Sequence, residues 1–218
     1  MAKSKPDDST IEYFYALASP WSYLGNEKLG QIANASGASI DAIIFNYDEM
    51  FEAAGTIPLP GRPPLRKAYR LVELARWSRW RQVPLNPEPR FYQGEVEEPD
   101  EYSAALLVTA AKRAGLDSLR LAHALSRALW AEERFPFVAD EMRAITEHEG
   151  FDFDALTSKK AIESAKSAYQ RATDYAIERR AFGMPFYIFR EEPFWGQDRL
   201  EMLEAAVSAA MAPRGAVG

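Results

Sequence analysis

The chain has 218 residues, carries a net charge of −6 and contains no cysteine. Its composition, 47% hydrophobic and 27% charged, is typical of a globular protein that buries a core. Its length suits one large domain or a domain with a second one inserted. The lack of cysteine excludes disulfides, thiolate metal ligands and a cysteine nucleophile.

The charge and hydropathy patterns exclude further classes of function. The net negative charge argues against a general nucleic-acid binder, and no apolar run approaches the ~18 residues of a membrane span. The polar N-terminal sequence MAKSKPDDST lacks the apolar core of a secretory signal. We therefore expect a cytoplasmic protein without a nucleic-acid or membrane partner. His123 and His148 lack metal-ligand spacing, so we expect no metal site.

The N-terminal part of the chain has a strand–helix–strand pattern. Residues 11–17, IEYFYAL, mix β-branched and aromatic residues, as buried strands do. Residues 22–36 have the apolar spacing of a helix and end before Gly37, a helix stop signal. Residues 39–47, SIDAIIFNY, predict a second strand, and the three elements together predict a βαβ unit.

A long helical block follows this unit. Residues 53–64 are rich in Pro and Gly and predict a loop, and residues 65–81 have helical spacing. Residues 84–99 are again Pro-rich and irregular. From about residue 101 to residue 180 the sequence is rich in Ala, Leu and charged residues and predicts several helices.

Strand patterns return only near the C-terminus. Residues 185–190 and the run EPFW predict a hairpin, and a closing helix follows. This order of elements predicts an α/β fold with a thioredoxin-like mixed sheet and a large inserted all-helical domain. We expect a discontinuous thioredoxin-like domain at residues 8–52 and 178–212, and a helical insertion domain at residues 53–177.

The turn between the first strand and the first helix has the sequence Ser19-Pro20-Trp21-Ser22. In a thioredoxin-type core this turn lies at a helix N-terminus, where free N–H groups and the helix dipole stabilise a thiolate. Redox members of such folds carry Cys-x-x-Cys there, whereas hydroxyls replace both sulfurs in this chain. Any thiol chemistry therefore needs a thiol from another molecule. We expect Ser22 to be the helix N-cap.

Two further motifs stand near the C-terminus. FGMPF, residues 182–186, precedes the late strand, where thioredoxin-type folds place a cis-proline that faces the active turn. A cis bond before Pro185 would offer the backbone of Met184 to an extended peptide. In FWGQDRLEMLEAA, Gly196 and polar residues open the last helix, whose N-terminus suits a carboxylate.

Together, FYALASPWSYLG, RAFGMPF and FWGQDRLEMLE resemble the 2-hydroxychromene-2-carboxylate isomerase family. Kappa-class glutathione transferases are close relatives of that family in the DsbA-like thioredoxin superfamily. The resemblance runs from about Tyr13 to Ala206 and includes RKAYRLVELARWSRW and ALWAEER in the helical block. It implies glutathione as the cofactor and a homodimer as the assembly.

The resemblance also implies a role for each residue of the motifs. Ser19 matches the catalytic serine, whose hydroxyl would donate a hydrogen bond to the glutathione sulfur and favour the thiolate. Met184 would pair its backbone with the cysteinyl group, next to a cis Pro185. The γ-glutamyl end would be held by four consecutive residues, Trp195, Gly196, Gln197 and Asp198.

In the family, the glutathione thiolate is thought to add reversibly to an unsaturated aromatic carboxylate. The ring opens, a C–C bond rotates and the thiol is eliminated. A cation near the sulfur would bind the substrate carboxylate, and the candidates are Lys67, Arg66 and Arg90. Tyr92 is a candidate to bind a phenolic or carboxylate oxygen.

The chain departs from the family pattern near the proline. Met184 and Phe186 replace the usual β-branched residue and the frequent threonine, and Arg180 stands where glycine is common. The bulkier side chains would reshape the acceptor site. Two alternatives stay open: a kappa-type glutathione transferase or peroxidase that consumes glutathione, and a non-catalytic thioredoxin-fold module that binds a peptide or glutathione.

Overall fold

The computed structural model describes residues 7–90 and 101–212, and its centre is a mixed sheet of four strands. The strands are β1 (Thr10–Tyr15), β2 (Ser39–Ile44), β3 (Phe186–Phe189) and β4 (Glu192–Trp195). β1 pairs in parallel with β2 and antiparallel with β3, and β3 pairs antiparallel with β4. The order across the sheet, β2-β1-β3-β4, confirms the predicted thioredoxin-like fold.

The helices lie in three stretches of the chain. The first two, α1 (Pro20–Ser36) and α2 (Tyr47–Ala54), flank β2. The helical block between α2 and β3 contains α3 (Pro64–Arg81), α4 (Glu101–Arg113), α5 (Ser118–Trp130), α6 (Ala139–His148), α7 (Phe153–Thr157) and α8 (Lys159–Glu178). After β4, a 3-10 turn (Gln197–Arg199) leads into α9 (Leu200–Met211). In the described part of the chain, no helix is long and apolar enough to span a membrane.

Several predicted boundaries were wrong. The first strand, predicted to end at residue 17, ends at Tyr15. α1 begins at Pro20, because proline lacks an N–H and its fixed φ suits the first position of a helix. Its N-cap is therefore Ser19, whose side-chain oxygen accepts the N–H of Ser22 at 3.3 Å, and not Ser22 itself. The second strand ends at Ile44, three residues early, because Asn46 caps α2 and so converts the next residues to helix.

Side chains of β1 alternate between the two faces of the sheet, and helices pack on both faces. Tyr13 and Tyr15 lie in the larger core, which α1, α9 and the helical block share. The rings of Tyr13 and Tyr187 stack across β1 and β3 with centroids 5.0 Å apart. Phe14 faces the smaller core with α2 and with Ala176 of α8. α8 thus belongs in part to the thioredoxin-like core, while the domain limits at residues 52/53 and 177/178 stay a prediction.

α1 approaches β3 and the 3-10 turn closely at Gly25. A Cβ atom added to Gly25 would lie 2.8 Å from the hydroxyl oxygen of Tyr187 and 3.0 Å from Cβ of Gln197. A Cβ added to Gly30, in the same helix, would have no neighbour within 4 Å. The packing of α1 on the sheet therefore depends on the missing side chain at position 25.

We predict that Gly25→Ala lowers the free energy of unfolding by about 1–3 kcal/mol, because the added methyl group displaces Tyr187 or Gln197. Gly30→Ala is the matched control and should raise it by roughly 0.5–1 kcal/mol, since alanine loses less backbone entropy in a helix. Urea denaturation followed by circular dichroism measures both. Equal effects of the same sign would show that the close approach at Gly25 does not constrain the fold.

Candidate functional site

Three predicted site segments meet at one edge of the sheet. The C-terminal ends of β1 and β4 lie beside the N-terminal end of β3, because β1 and β4 both run antiparallel to β3. Ser19 lies in the turn after β1, Pro185 directly precedes β3, and Gly196 directly follows β4. A hydrogen bond from the N–H of Gly196 to the C=O of Pro185, 2.9 Å long, joins the last two segments.

Ser19 is 7% exposed and lies at the N-terminus of α1. Its side-chain oxygen accepts the N–H of Ser22, which leaves the hydroxyl hydrogen available to another acceptor. Pro20 has no N–H, and the N–H of Trp21 forms no hydrogen bond within the described residues. The helix N-terminus therefore offers two donors, the Ser19 O–H and the Trp21 N–H, at the positive end of the helix dipole. Such a place suits an anion.

The peptide bond between Met184 and Pro185 is cis, as the sequence predicted. Within the described part of the chain, neither the N–H nor the C=O of Met184 takes part in a backbone hydrogen bond. Its side chain packs against the smaller core. The backbone of Met184 is thus open to pairing with an extended peptide.

An aromatic wall stands next to this backbone. Trp195 is 54% exposed, and its ring contacts Phe182 edge to face with centroids 4.8 Å apart. The indole lies over Gly183, where an added Cβ would lie 2.5 Å from the indole nitrogen. The position of Trp195 beside the cis bond therefore requires the absence of a side chain at residue 183.

The turn at residues 196–198 is shaped by its glycine. Gly196 has a φ of 97°, which L side chains rarely adopt, and an added Cβ would collide with the carboxylate of Asp198. That carboxylate pairs with Arg199 at 2.6 Å, so a ligand ammonium there would share it with the guanidinium. Gln197 is 2% exposed and turns into the protein. The ligand contacts of Gln197 and Asp198 stay predictions.

Arg81, the last residue of α3, is a residue of this site that the sequence analysis missed. Its guanidinium donates to the side-chain oxygen of Gln197 at 3.0 Å and to the backbone oxygen of Gln197 at 2.7 Å. It also pairs with Glu201 of α9, and its bonds to that carboxylate hold the pKa of Glu201 below its usual value. Arg81 thereby ties the helical block to the 196–198 turn. Nothing in the sequence separates it from the other arginines of α3.

Glu101, the first residue of α4, is a second missed residue. It is 8% exposed, and its two carboxylate oxygens accept the N–H of Leu17 at 2.6 Å and of Ala18 at 3.0 Å. The hydroxyl of Ser126 in α5 donates to the C=O of Leu17 at 3.0 Å. These contacts hold the two residues that directly precede Ser19.

Of the predicted substrate residues, Lys67 and Arg90 lie within the described part of the chain, and each has a local partner. Lys67 is exposed near the start of α3, with its amine 3.4 Å from the C=O of Pro60. Arg90 is exposed and bound to Glu133, through its N–H at 3.2 Å and its guanidinium at 3.8 Å. Tyr92 lies outside the described residues. No hydrogen bond or ion pair within residues 7–90 and 101–212 links Lys67 or Arg90 to the edge described above, so their roles stay predictions.

We predict that Arg81→Met lowers the free energy of unfolding at neutral pH by about 1.5–3 kcal/mol, because buried acceptors of Gln197 lose a charged donor. Arg81 lowers the pKa of Glu201 in the folded protein. The ion pair therefore stabilises the fold at pH values above the pKa of Glu201 in the unfolded chain, and this stabilisation is lost as the pH falls through the lower pKa of the folded protein. The difference in the free energy of unfolding between wild type and variant should therefore be smaller at roughly pH 3 than at roughly pH 7. Denaturant titrations at both pH values measure it.

Arg76→Met is the matched control for this prediction. Arg76 belongs to the same helix and pairs with Glu73, but its side chain is 53% exposed. Exposed ion pairs contribute little, so we expect a change within about 0.5 kcal/mol. An Arg81→Met variant as stable as Arg76→Met would contradict the role of Arg81 in holding the turn.

Known proteins resemble the chain over most of its length. The profile of the DsbA-like thioredoxin domain matches residues 10–208. The chain is 28% identical over 201 residues to a 2-hydroxychromene-2-carboxylate isomerase of Pseudomonas sp. (strain C18), covering 92% of this chain and 91% of that protein. It is 24% identical over 209 residues to glutathione S-transferase kappa 1 of Homo sapiens, covering 91% and 90%.

A solved structure supports the same relationship. The structure of a selenomethionine 2-hydroxychromene-2-carboxylate isomerase matches with a TM-score of 0.71 and 25% identity, over 92% of this chain and 95% of that chain. The resemblance found in the three motifs is thus confirmed over nearly the full length. The chain belongs to the DsbA-like thioredoxin family and is similar, within it, to the 2-hydroxychromene-2-carboxylate isomerases.

Proposed function

We propose that the protein is a glutathione-dependent isomerase of the 2-hydroxychromene-2-carboxylate type and works as a homodimer. The observation that carries the proposal is the Ser19 hydroxyl at the N-terminus of α1, at the same sheet edge as the open backbone of Met184. The chain has no cysteine, so the thiol comes from a ligand. The similarity to isomerases and to a glutathione transferase favours glutathione as that ligand.

Glutathione would lie across the sheet edge as an extended peptide. Its cysteinyl backbone would pair with the N–H and C=O of Met184, and its γ-glutamyl end would reach Trp195 and Asp198. Its sulfur would accept hydrogen bonds from the Ser19 O–H and the Trp21 N–H. A hydrogen bond to a charged acceptor contributes about 1.5–3 kcal/mol, which corresponds to roughly one to two units of thiol pKa. A thiol with an ordinary pKa of about 8.5 would then be partly ionised near neutral pH.

The bound thiolate would act as a nucleophile that is regenerated in each turnover. It adds to an unsaturated carbon of the substrate, a C–S bond forms, and the former double bond becomes a single bond that can rotate. Ring opening places the displaced electron pair on the ring oxygen. Elimination of the thiolate breaks the C–S bond, the enol left by ring opening becomes a ketone as its electron pair restores the double bond, and the hydroxyl proton passes to the former ring oxygen. Lys67, Arg90 and Tyr92 are the candidates to bind the substrate carboxylate or its phenolic oxygen.

A kappa-type transferase is the second candidate function. The exposed Trp195 and Phe182 form an aromatic wall next to the backbone of Met184, which suits an aromatic electrophile as well as an isomerase substrate. In a transferase the C–S bond persists and glutathione is consumed. Incubation with a chloro-dinitrobenzene, with glutathione assayed before and after, separates the two reactions. Loss of one glutathione per product supports the transferase, and turnover of 2-hydroxychromene-2-carboxylate at constant glutathione supports the isomerase.

We predict that Ser19→Gly raises the pKa of the bound glutathione thiol by about one to two units and lowers turnover at neutral pH by about 10- to 100-fold. Glycine is chosen because it costs a helix N-cap only a few tenths of a kcal/mol. The pKa is read from the ultraviolet absorbance of the thiolate during a pH titration. Turnover is measured with 2-hydroxychromene-2-carboxylate as the substrate.

Ser22→Ala is the matched control, because it removes the other hydroxyl of the same motif. Ser22 is fully buried and does not cap the helix, so the thiol pKa should stay unchanged. A wild-type protein that fails to bind glutathione at millimolar concentration would falsify the proposed function. Unchanged catalysis in Ser19→Gly would leave glutathione binding in place but exclude the serine as the group that ionises the thiol.

A further inference from the structure

We propose that Glu101 is a positioning residue, through which the helical block fixes the Ser19 turn for catalysis. This inference rests on the proposed function and names a residue that acts on the reaction through the backbone of that turn. Glu101 lies 82 positions after Ser19 in the sequence, at the start of α4. Its side chain is nearly buried and crosses from the helical block to the end of β1.

The contacts of Glu101 fix peptide groups and not only side chains. The carboxylate accepts the N–H of Leu17 and of Ala18, and Ser126 donates to the C=O of Leu17. Side chains of the helical block therefore hold three of the four backbone polar groups of these two residues. The N–H of Ser19 closes the turn by donating to the C=O of Ala16 at 3.2 Å. The direction of the Ser19 side chain follows from these bonds.

The carboxylate also selects which donors a ligand can use. Leu17 and Ala18 directly precede the N-cap Ser19, so free N–H groups on them would give an anion further donors beside the helix N-terminus. Because Glu101 occupies the N–H groups of Leu17 and Ala18, the Ser19 O–H and the Trp21 N–H remain as the donors of this turn. Glu101 thus restricts an incoming thiolate to the place next to the hydroxyl of Ser19.

Positioning and simple charge repulsion make opposite predictions for this residue. A carboxylate near the thiol disfavours the thiolate, so loss of its charge alone would lower the thiol pKa. Loss of its positioning would displace the Ser19 turn and raise the thiol pKa instead. Glu101→Gln removes the charge and one of the two acceptors. Glu101→Asp keeps the charge but is one methylene too short to reach both N–H groups.

The test compares Glu101→Gln and Glu101→Asp with Glu12→Gln in the full chain. Glu12 is the matched control because it is 2% exposed, lies in β1 and binds Arg179 at 2.9 Å, on the opposite face of the sheet. Both Glu101 variants should raise the pKa of bound glutathione by about one unit and weaken its binding about tenfold. Glu12→Gln should lower thermal stability and leave both values unchanged. Calorimetry measures glutathione binding and thermal stability, and the thiolate absorbance measures the pKa of the bound thiol.

A second readout needs no glutathione. Amide hydrogen exchange of Leu17, Ala18 and Ser19, whose N–H groups are hydrogen-bonded in this turn, should accelerate in Glu101→Gln and stay unchanged in Glu12→Gln, because only the first change releases the turn. Ser126→Ala should give a smaller acceleration, which keeps the inference testable if Glu101→Gln fails to fold. Unchanged amide exchange in Glu101→Gln would overturn the positioning role of Glu101. So would a thiol pKa that is lowered in Glu101→Gln and unchanged in Glu101→Asp. If only wild-type glutathione binding fails, the proposed function is wrong and the exchange data still decide the role of Glu101 in fixing the turn.

Discussion

The contact between the Glu101 carboxylate and the turn after β1 joins the two parts of the chain that build the site. Arg81 makes the corresponding contact at the other end, where it holds the 196–198 turn against α3 and α9. Both side chains are buried, and both act on backbone groups of the thioredoxin-like part. The helical block therefore does more than cover the sheet, because its side chains bind the backbone of both turns.

The sheet topology explains why the site needs such contacts. Antiparallel pairing of β3 with β1 and β4 brings Ser19, Met184 and Gly196 to one edge. Each of them lies in a turn outside the strands, where strand pairing no longer fixes the backbone. The bonds from Glu101, Ser126 and Arg81 supply the missing constraints. In a redox relative a cysteine sulfur belongs to the chain, whereas this chain has no cysteine. Under the proposed function the thiol arrives with the ligand and meets a turn that is already in place.

The sequence predicted some elements well and missed others for identifiable reasons. The cis bond before Pro185 and the mixed sheet followed from motifs that are contiguous in the chain. The N-cap was assigned to Ser22 because two serines compete for that role, and the proline between them decides in favour of Ser19. Arg180 was noted as a departure from a common glycine, and it adopts a φ of 57°, the left-handed region that glycine favours.

The sequence by itself therefore determined the order of elements, the serine in the turn after the first strand and the absence of a thiol in the chain, because these depend on local pattern and composition. Only the tertiary structure decided which charged residues hold the site. Glu101 lies 84 residues after its partner Leu17, and Arg81 lies 116 residues before its partner Gln197. Neither has a sequence neighbour that indicates its partner. Contacts of this kind arise when packing buries a charge, which then binds the backbone groups that the fold leaves without partners.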